Sequence, residues 1–360
     1  MAVPQVSDGR TFVDLASVGV RVSAPVHRRG GAGPSDDGHV VLGGRSAALR
    51  VNPDSPWEIR DGRLFHTDPA GTTDMGVDAS AVARPRFYDL TTADGVPYEK
   101  IARLHGNDVL ATTVAQTCIR YAEDQRCRFC TIEESLRAGT TTAAKTPAQL
   151  AEVAEAAVRL DGVRQMVMTT GTTTGPDRGA RNLVRSVRAV LDAVPGLPVQ
   201  VQIEPPAELD VIAELHEAGA AAIGIHVESL DDTVRRAWMP GKGSVPMAEY
   251  EAAWDEAVRV FGPNRVSTYL ILGLGEDPDE TVAAAAGVIA RGVYPFVVGH
   301  RPIAGSLAVA DGAGAPPAAY VADVTERIGA LLVAAGMRGE DQQAGCAACG
   351  ACSGLNRVGA

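Results

Sequence analysis

The sequence predicts an α/β fold: a partial (β/α)6 TIM-like barrel between a small β-rich N-terminal region and a cysteine-rich C-terminal tail. From about residue 106, short β-branched runs alternate with helical patterns six times, as expected for βα units on a parallel sheet. Right-handed crossovers curl such units into a full or partial barrel, with its active site at the carboxyl ends of the strands. The 360 residues, 46% of them hydrophobic, suffice to bury such a core.

The predicted strands are short segments rich in Val, Ile and Thr. They are 109–117, 163–170, 198–204, 221–229, 265–273 and 293–299. Between them, apolar residues recur at three- and four-residue spacing, which predicts helices with one buried stripe. Thr146 followed by Pro147 is typical of a helix start, and Gly219 and Gly292 stand where helices are expected to stop.

The flanking regions differ from the barrel in composition. In residues 1–105, Gly, Pro and Asp surround brief strand-like runs such as VVLGG and RLFHT, which predicts a β-rich region. The barrel is expected to occupy residues 106–335 and to end in an amphipathic helix within 317–336. A cysteine-rich tail, a candidate auxiliary metal site, covers residues 336–360.

The charge balance argues against several function classes. The chain has 33 basic and 44 acidic residues, a net charge of −11, and no basic stripe, so nucleic acid is not an expected partner. The N-terminus lacks the basic-then-apolar order of a secretory signal, and no apolar run approaches the roughly 18–20 residues of a membrane span. A cytoplasmic protein without a membrane partner is therefore expected.

The six cysteines fall into two groups. The rim triplet is Cys118, Cys127 and Cys130, and the tail triplet is Cys346, Cys349 and Cys352. Disulfides between such close partners would be strained, and a reducing compartment keeps thiols free, so metal binding is the better interpretation. The rim triplet follows the first strand, at the catalytic face. Three thiolates suit a [4Fe–4S] cluster with one open iron better than a four-ligand structural zinc.

The rim triplet resembles that of the radical S-adenosylmethionine (SAM) superfamily, whose barrel carries three cysteines after its first strand and an aromatic residue before the last. Here the pattern is C-x8-C-R-F-C, with Phe129 in the aromatic place. The usual spacing between the first two cysteines is three residues, whereas residues 119–126 make it eight. A zinc knuckle that borrows a histidine or a tail cysteine is the alternative.

The resemblance covers about residues 106–305 and is nearest to the biotin and lipoyl synthase-like branch. The pattern of the whole chain, with its tail triplet, also resembles the radical SAM protein of bacterial nitrilase-containing gene clusters. Membership of the superfamily implies a cradle for SAM at the ends of the barrel strands.

Two strand ends supply candidates for that cradle. Thr170, Gly171 and Thr172 stand where the superfamily has a glycine-rich turn that binds the methionine amine, although a plain loop turn is the alternative. The segment GIHVES is similar to HNLDT and HNIET of biotin and lipoyl synthases. Glu228 matches the acid that contacts the SAM ribose, while His226 replaces Asn and fits a packed structural role equally well.

The fifth strand ends in YLILGLGED, which fits the superfamily pattern G-x-I-x-G-x-x-E except at its first position, Tyr269. Ile271 and Gly273 are expected to pack against adenine, where a residue larger than Gly would block the ring. Glu276 is expected to cap the helix that follows.

Basic residues are the candidates for the methionine carboxylate and for the substrate. Arg235, Arg236 and Lys242 follow the fourth strand, and Arg235 is preferred because a guanidinium binds a carboxylate in bidentate fashion. The alternative for Arg235 is a solvated charge on a helix surface. His300 and Arg301, after the sixth strand, begin a segment that resembles RPxxGT of biotin synthase-like enzymes and are expected near the substrate.

The resemblance implies an enzyme in which a reduced [4Fe–4S] cluster on the rim triplet cleaves SAM to methionine and a 5′-deoxyadenosyl radical. The radical abstracts hydrogen from a small-molecule substrate, and a reductase, flavodoxin or ferredoxin supplies the electron. The tail triplet is expected to hold a second iron–sulfur cluster, with zinc or free thiols as alternatives. The alternative functions are sulfur insertion that sacrifices the tail cluster, and a non-catalytic iron–sulfur or zinc protein.

Overall fold

The chain folds around two sheets in the computed structural model, which describes residues 9–22, 39–49 and 51–357. The first sheet belongs to the N-terminal region and the second forms the barrel. Among the described residues, no helix combines the length and the apolar composition that crossing a bilayer requires.

The N-terminal region begins with helix α1 (Gly9–Val18) and continues into a sheet with its own apolar core. The described strands are β1 (Arg21–Val22), β2 (His39–Leu42), β3 (Arg45–Ala48), β4 (Trp57–Arg60), β5 (Arg63–Asp68) and β6 (Gly71–Ala81). They lie in the order β1-β4-β5-β6-β2-β3, antiparallel except for the β1–β4 pair. Most of the glycine- and proline-rich segment 30–39 lies outside the described residues.

Residues 82–102 connect the two sheets and pack with the barrel. They contain a 3₁₀ turn (Arg86–Asp89) and the short helix α2 (Tyr98–Ile101), whose apolar side chains join the barrel core. The backbone N–H groups of Arg86 and Phe87 both donate to the Asp161 carboxylate, at 2.9 Å each. The last part of the predicted N-terminal region therefore packs into the barrel core.

The second sheet is an open barrel of seven strands whose two edge strands do not pair with each other. Its strands are β7 (Arg103–His105), β8 (Val109–Thr113), β9 (Gln165–Thr169), β10 (Val199–Ile203), β11 (Ala222–Ile225), β12 (Val266–Leu272) and β13 (Val293–Gly299). The strands from β8 to β13 run parallel in sequence order, whereas β7 pairs antiparallel with β8. Strands β13 and β7 are the two edges, so the partial (β/α)6 barrel predicted from the sequence is confirmed.

Helices connect the barrel strands and follow the last of them. They are α3 (Glu134–Arg137), α4 (Pro147–Asp161), α5 (Ala180–Ala193), α6 (Asp210–Glu217), α7 (Asp232–Trp238), α8 (Pro240–Gly243), α9 (Met247–Phe261), α10 (Pro278–Ala290), α11 (Leu307–Ala310) and α12 (Ala318–Ala334). Thr146 and Gln149 form a capping box that starts α4, as expected for a Thr-Pro start. Gly219 and Gly292 follow α6 and α10 with φ of +100° and +85°, a conformation that glycine adopts without strain.

The inner face of the barrel carries polar side chains. In β10, Val199 and Val201 are fully buried in the apolar core, and Gln200 and Gln202 alternate with them. Gln200 donates to the Ser267 hydroxyl at 3.2 Å, from one inner wall to another. The interior therefore offers hydrogen bonds to whatever fills it.

The cysteine-rich tail fills this interior, starting with the short helix α13 (Cys346–Cys349). The Gly345 N–H donates to Gln165 Oε1 at 2.7 Å, at the first residue of β9, so the tail enters where the parallel strands begin. A Cβ on Gly345 would stand 2.1–2.3 Å from the side-chain amide of Gln200. Ala347 and Leu355 join the barrel core, so the tail is an integral part of the barrel.

Lys145 is a buried lysine beside the loop that leads to the rim triplet. It is 4% exposed, and its ammonium donates to Gln116 Oε1 at 2.8 Å and to the Thr142 carbonyl at 3.1 Å. Burial lowers the pKa of Lys145 to about 7, because both partners are neutral.

Replacing Gly345 with Ala should destabilise the protein by more than φ strain alone. Gly345 has a φ of +103° and a ψ of −174°, a region almost exclusive to glycine, where Ala costs about 1–3 kcal/mol, and the overlap with Gln200 adds about 1–3 kcal/mol. Gly262→Ala is the matched control, because its φ of +89° and ψ of 163° lie in the same region and its Cβ would meet open space. Denaturant unfolding of both variants measures the difference, and equal losses would contradict the seating of the tail against Gln200.

Replacing Lys145 with Met should change how stability depends on pH. The unfolded chain binds the Lys145 proton between pH 7 and 10.5 while the folded chain does not, so wild-type stability rises with pH in that window. Relative to Lys145→Met, the gain should be on the order of 4 kcal/mol. Unfolding titrations from pH 6 to 10.5 on the metal-free protein, with Lys100→Met as control, measure it. A pH-independent difference would show that Lys145 stays charged in the fold.

Candidate functional site

The rim triplet lies beyond the carboxyl end of β8, at the mouth of the barrel. All three thiols are half-buried. Burial raises the pKa of Cys130 to about 11 and raises that of Cys127 still further, and the neighbouring thiols of the triplet add to both shifts. The three sulfur atoms are thus close enough to interact electrostatically.

The eight-residue segment between Cys118 and Cys127 is anchored across the mouth of the barrel. The Ile119 N–H donates to the Thr172 carbonyl at 3.0 Å. The Arg120 guanidinium binds the Glu204 carboxylate, with a shortest distance of 2.5 Å, and the Gly241 carbonyl. The eight residues between the first two rim cysteines are therefore long enough to cross the mouth of the barrel, from the end of β9 to α8, and are fixed at both places.

Glu204 is a rim residue that sequence reasoning missed. It is 8% exposed and accepts from Arg120, from Arg178 at 2.6 Å and from the Thr172 hydroxyl at 2.7 Å. Burial raises its pKa, but the hydrogen bond and charge of Arg120, with help from Thr172, outweigh burial and lower the pKa overall. The feature of the sequence that could have identified Glu204 is an acidic residue at the carboxyl end of an otherwise uncharged strand.

Gly171 permits close contact between the end of β9 and the cysteine loop. Its N–H donates to the Ala115 carbonyl at 2.8 Å, and a Cβ there would stand 2.0 Å from the Thr117 carbonyl oxygen. The Thr170 hydroxyl donates to the Gly171 carbonyl at 3.0 Å. The segment 170–172 therefore fixes the approach to Cys118, and its role toward the methionine amine stays a prediction.

Glu228 has a φ of +68°, an uncommon value for a residue other than glycine. Strand β12 holds it there, because its N–H donates to the Tyr269 carbonyl at 3.0 Å and its carbonyl accepts from the Ile271 N–H at 2.8 Å. Strand β11 ends at Ile225, before the predicted Ser229, because side chains replace the ladder bonds that follow: the Val227 N–H donates to the Thr268 hydroxyl and the Tyr269 N–H donates to His226.

Lys242 is the basic residue that accompanies Glu228. Its ammonium lies 2.9 Å from Glu228 Oε1, and each side chain is 13% exposed. Burial lowers the pKa of Lys242, but the charge of Glu228 more than compensates, so the pKa is raised overall and the ammonium stays charged. Lys242 also lowers the pKa of Cys127, against burial, which locates the ion pair beside the rim triplet.

Arg235 is buried, and its guanidinium is occupied by neighbours on α7, on α9 and just before α9. It is 1% exposed and donates to Asp232 and to the Val245 carbonyl, both at 2.6 Å, with its guanidinium over the Tyr250 ring. Arg236 is mostly exposed on the surface of α7. Of the three basic candidates, the structure brings Lys242 to the rim and uses Arg235 to pack α7 against α9.

His226 lies on the inner side of the segment after β11. Its Nδ1 accepts from the Tyr269 N–H at 3.2 Å, and its ring meets the Tyr269 ring edge-on, with centroids 4.5 Å apart. Burial lowers the pKa of His226 well below its usual range, so the ring is neutral and carries its proton on Nε2.

A largely apolar cavity lies beside the β13 edge of the barrel. Its walls include Phe129 from the rim loop, Ile271 from β12, His300 and Arg301 from the end of β13, and Cys352 from the tail. His300 donates through Nδ1 to the Gly314 carbonyl at 3.0 Å, and Arg301 donates to the Ala48 carbonyl at 2.7 Å. One cavity thus contacts both the rim loop and the tail triplet.

The local backbone and packing already require glycine at position 273, whether or not adenine packs there. Its φ is +93°, and a Cβ would stand 2.7 Å from Pro316. The N–H groups of Gly273 and Leu274 donate to the Glu276 carboxylate at 2.6 and 2.8 Å. Glu276 therefore closes the turn after β12, and the expectation that it caps the next helix is wrong, because Asp277 caps α10.

The tail triplet lies inside the barrel. The Cys346 sulfur accepts from Gln202 Nε2 at 3.5 Å, and the Cys352 sulfur lies 3.9 Å from His105 Nε2. Across the described ranges, no group of three or more His, Cys, Asp or Glu side chains is drawn together tightly enough to hold a metal ion as it stands.

The donor chemistry of each triplet fits an iron–sulfur cluster. Thiolate sulfur is the ligand that such clusters use, and each triplet offers three. Burial keeps the free thiols protonated, so metal binding would displace their protons. At the rim, Lys242 offers a positive charge beside the sulfur atoms.

The chain is similar to curated proteins and to a family model. The family model described as the radical SAM superfamily matches residues 124–287. Lipoyl synthase of Thermus thermophilus is 30% identical over 190 residues, which cover 51% of this chain and 56% of that protein. Bacteriochlorophyllide c C-7(1)-hydroxylase of Chlorobaculum limnaeum is 22% identical over 261 residues, 67% of this chain and 64% of that protein. The chain thus spans less than two thirds of either relative.

Solved structures also resemble the chain. A radical SAM methyltransferase from Sphaerobacter thermophilus is 16% identical with a TM-score of 0.48, covering 79% of this chain and 76% of that one. The FeFe-hydrogenase maturase HydG from Carboxydothermus hydrogenoformans is 16% identical with a TM-score of 0.46, covering 62% and 50%. The match over residues 124–287, together with three cysteines and Phe129 at the mouth of an open parallel barrel, makes this part of the chain similar to the radical SAM superfamily.

Proposed function

We propose that this protein is a radical SAM enzyme whose rim triplet holds a [4Fe–4S] cluster with one iron open to SAM. When bound and reduced by a flavodoxin, ferredoxin or reductase, the cluster supplies the electron that cleaves SAM and starts hydrogen abstraction from a small organic substrate. The observation that carries the proposal is the rim triplet at the mouth of an open barrel, beside the Glu228–Lys242 ion pair.

The SAM cradle is proposed from the residues that surround the rim triplet. Glu228 would accept the ribose hydroxyls, because a fixed carboxylate compensates the desolvation of both donors. Lys242, 2.9 Å from Glu228, is the basic group available to the methionine carboxylate. Ile271 and Phe129 line the same apolar cavity and would contact the adenine side of the ligand. Segment 170–172 would meet the methionine amine through its backbone.

The substrate is proposed to occupy the cavity beside β13. Its walls include Phe129, which precedes the last rim cysteine, so a molecule there would lie beside the cluster. His300 is 3% exposed and Arg301 contributes a cation, so these two residues would orient polar groups of the substrate. The apolar remainder of the wall would exclude water from a reactive radical.

The tail triplet is proposed to hold a second iron–sulfur cluster inside the barrel. Three thiols and the nearby His105 provide a four-donor set, in which His105 is 3.9 Å from Cys352. A closed set of four ligands suits a cluster that carries electrons, whereas three suit one that also binds a substrate. A zinc ion with the same donors is the alternative that the metal content distinguishes.

Sulfur insertion is a second candidate function. The observation that favours it is that Cys352 lines the cavity in which the substrate is proposed to bind, so a cluster sulfur there would be close to a substrate radical. Loss of acid-labile sulfide from the tail centre in a single turnover, measured against 5′-deoxyadenosine formed, tests it. Sulfide that stays constant through the turnover would exclude a sacrificed cluster.

Reciprocal replacement of the two triplets by Ser should separate their roles. In the anaerobically reconstituted protein, Ser at Cys118, Cys127 and Cys130 should remove about half of the iron and abolish 5′-deoxyadenosine formation under dithionite. Ser at Cys346, Cys349 and Cys352 should also remove about half of the iron but should leave SAM cleavage in place. Iron and sulfide analysis with 5′-deoxyadenosine detection measures both effects.

Two results would contradict the proposal. SAM cleavage at the native rate without the rim triplet would refute the assignment of the catalytic cluster. Equal iron in wild type and the tail variant would leave the tail triplet with zinc or as free thiols.

Replacing Glu228 with Gln should weaken SAM binding by about 10- to 100-fold, because a charged acceptor for ribose hydroxyls becomes a neutral amide. Gln keeps the shape of the side chain, so iron content should stay native. Glu249→Gln is the control, since Glu249 is half-exposed and pairs with Arg178 outside the proposed cradle. Equilibrium binding of SAM to both variants decides the role, and native affinity in Glu228→Gln would remove Glu228 from the cradle.

A further inference from the structure

The cavity beside β13 has a mainly apolar wall with a few polar groups. Apolar side chains from α1, β12, β13 and α12 line it, among them Val13, Ile271, Val297 and Val321. Its volume is about 180 Å³, and an engineered apolar cavity of about 150 Å³ binds benzene. The cavity therefore fits a body of one or two rings, or an aliphatic group of similar size.

His300 is a buried polar residue of this wall, and its ring is fixed on two sides. The ring lies edge-on to Trp238, with centroids 5.3 Å apart, and Nδ1 lies 3.0 Å from the Gly314 carbonyl oxygen. A carbonyl oxygen can only accept, so Nδ1 carries a proton, and in the neutral ring Nε2 is then an acceptor. His300 is 3% exposed, and no donor of the described residues reaches its Nε2.

Other polar side chains of the wall are already occupied. The Arg301 guanidinium donates to the Ala48 carbonyl at 2.7 Å, and the Ser353 hydroxyl accepts from the Leu355 N–H at 3.2 Å. Of the described side chains that line the cavity, His300 is the one with a buried polar atom that lacks a hydrogen-bond partner. A buried acceptor without a donor is costly, and in native proteins it indicates a bound water or ligand.

We propose that His300 Nε2 determines the specificity of this cavity by accepting a hydrogen bond from the substrate. The substrate is a mainly apolar molecule, of one or two rings or similar size, that carries a hydroxyl or N–H donor. Because the apolar wall fixes no orientation by itself, this bond sets how the substrate lies beside Phe129. The inference rests on the proposed function, which assigns this cavity to the substrate, and it names the chemical class that the cavity takes.

The discrimination follows from desolvation. A ligand with a donor exchanges its hydrogen bond to water for one to Nε2, so both partners stay satisfied. A ligand of the same shape without the donor excludes water from Nε2 and leaves it unpaired. The second ligand should bind about 10- to 100-fold more weakly than the first.

The experiment compares two probes of one shape by isothermal titration calorimetry of the full chain. Indole carries an N–H donor, and benzofuran has an oxygen in place of that N–H. His300→Asn keeps an amide donor near the position of Nδ1 and removes the acceptor at Nε2, whereas His300→Gln places an amide oxygen near the position of Nε2. Thr325→Val is the matched control, because it removes a hydroxyl from the same wall and keeps the shape of the side chain.

Nitrogen-15 NMR of the histidine-labelled chain gives a second readout, at the atom itself. The signals of His300 are those that His300→Asn lacks. Nε2 should have the chemical shift of an unprotonated ring nitrogen before ligand is added. Indole should move that signal further than benzofuran does, because only indole donates a hydrogen bond to it.

Wild type and Thr325→Val should bind indole about 10- to 100-fold more tightly than benzofuran. His300→Asn should bind the two probes equally, and His300→Gln should recover part of the preference.

Four results would overturn the inference. They are equal binding of the probes by wild type, which would leave Nε2 to an ordered water; a preference for benzofuran, which would place a proton on Nε2; a preference that is lost in Thr325→Val but kept in His300→Asn; and no binding of either probe. None of these measurements depends on SAM cleavage. The proposed function is tested separately by 5′-deoxyadenosine formation, so its failure and that of this inference are distinguishable.

Discussion

The side chains of an open parallel barrel cannot fill its interior by themselves. Most of this structure depends on how that interior is filled. In a closed eight-stranded barrel, layers of inward side chains from all sides pack together. Here β13 and β7 are unpaired edges, and inner-face residues such as Gln200 and Gln202 are polar. The tail supplies the missing packing from one end, and its backbone meets the first residue of β9 through the bond from Gly345 to Gln165. The mouth at the other end is left for chemistry.

The mouth is organised by buried charges that satisfy one another. Glu204 accepts from Arg120 and Arg178, and Glu228 pairs with Lys242. Buried ion pairs add little net stability, but removing one partner leaves a charge that is costly to bury. Their effect here is positional: Arg120 fixes the cysteine loop across the mouth, and Glu228 is held against β12 despite its left-handed backbone.

Local patterns explain how much of this could be predicted from the sequence. The last strand was predicted at its observed bounds, Val293–Gly299, because an apolar run between glycines fixes both ends. The strand before Glu228 was predicted too long, since nothing in the residue types reveals that side chains replace the ladder hydrogen bonds at His226 and Val227. Arg235 was preferred over Lys242 on side-chain chemistry, whereas its burial depends on the packing of α7 and α9. The seating of the tail depends on partners 144 to 247 residues away.

The long separation in sequence between the tail and its partners also affects the order of folding. Every strand that the tail contacts is synthesised before the tail, and contacts between distant segments form late because loop closure must come first. During synthesis the polar lining of the barrel is therefore still open to water at the end that the tail later seals. When the tail docks, Gln165 and Gln202 exchange hydrogen bonds with water for hydrogen bonds with Gly345 and Cys346, so the last segment to be synthesised is the one that dries this end of the barrel.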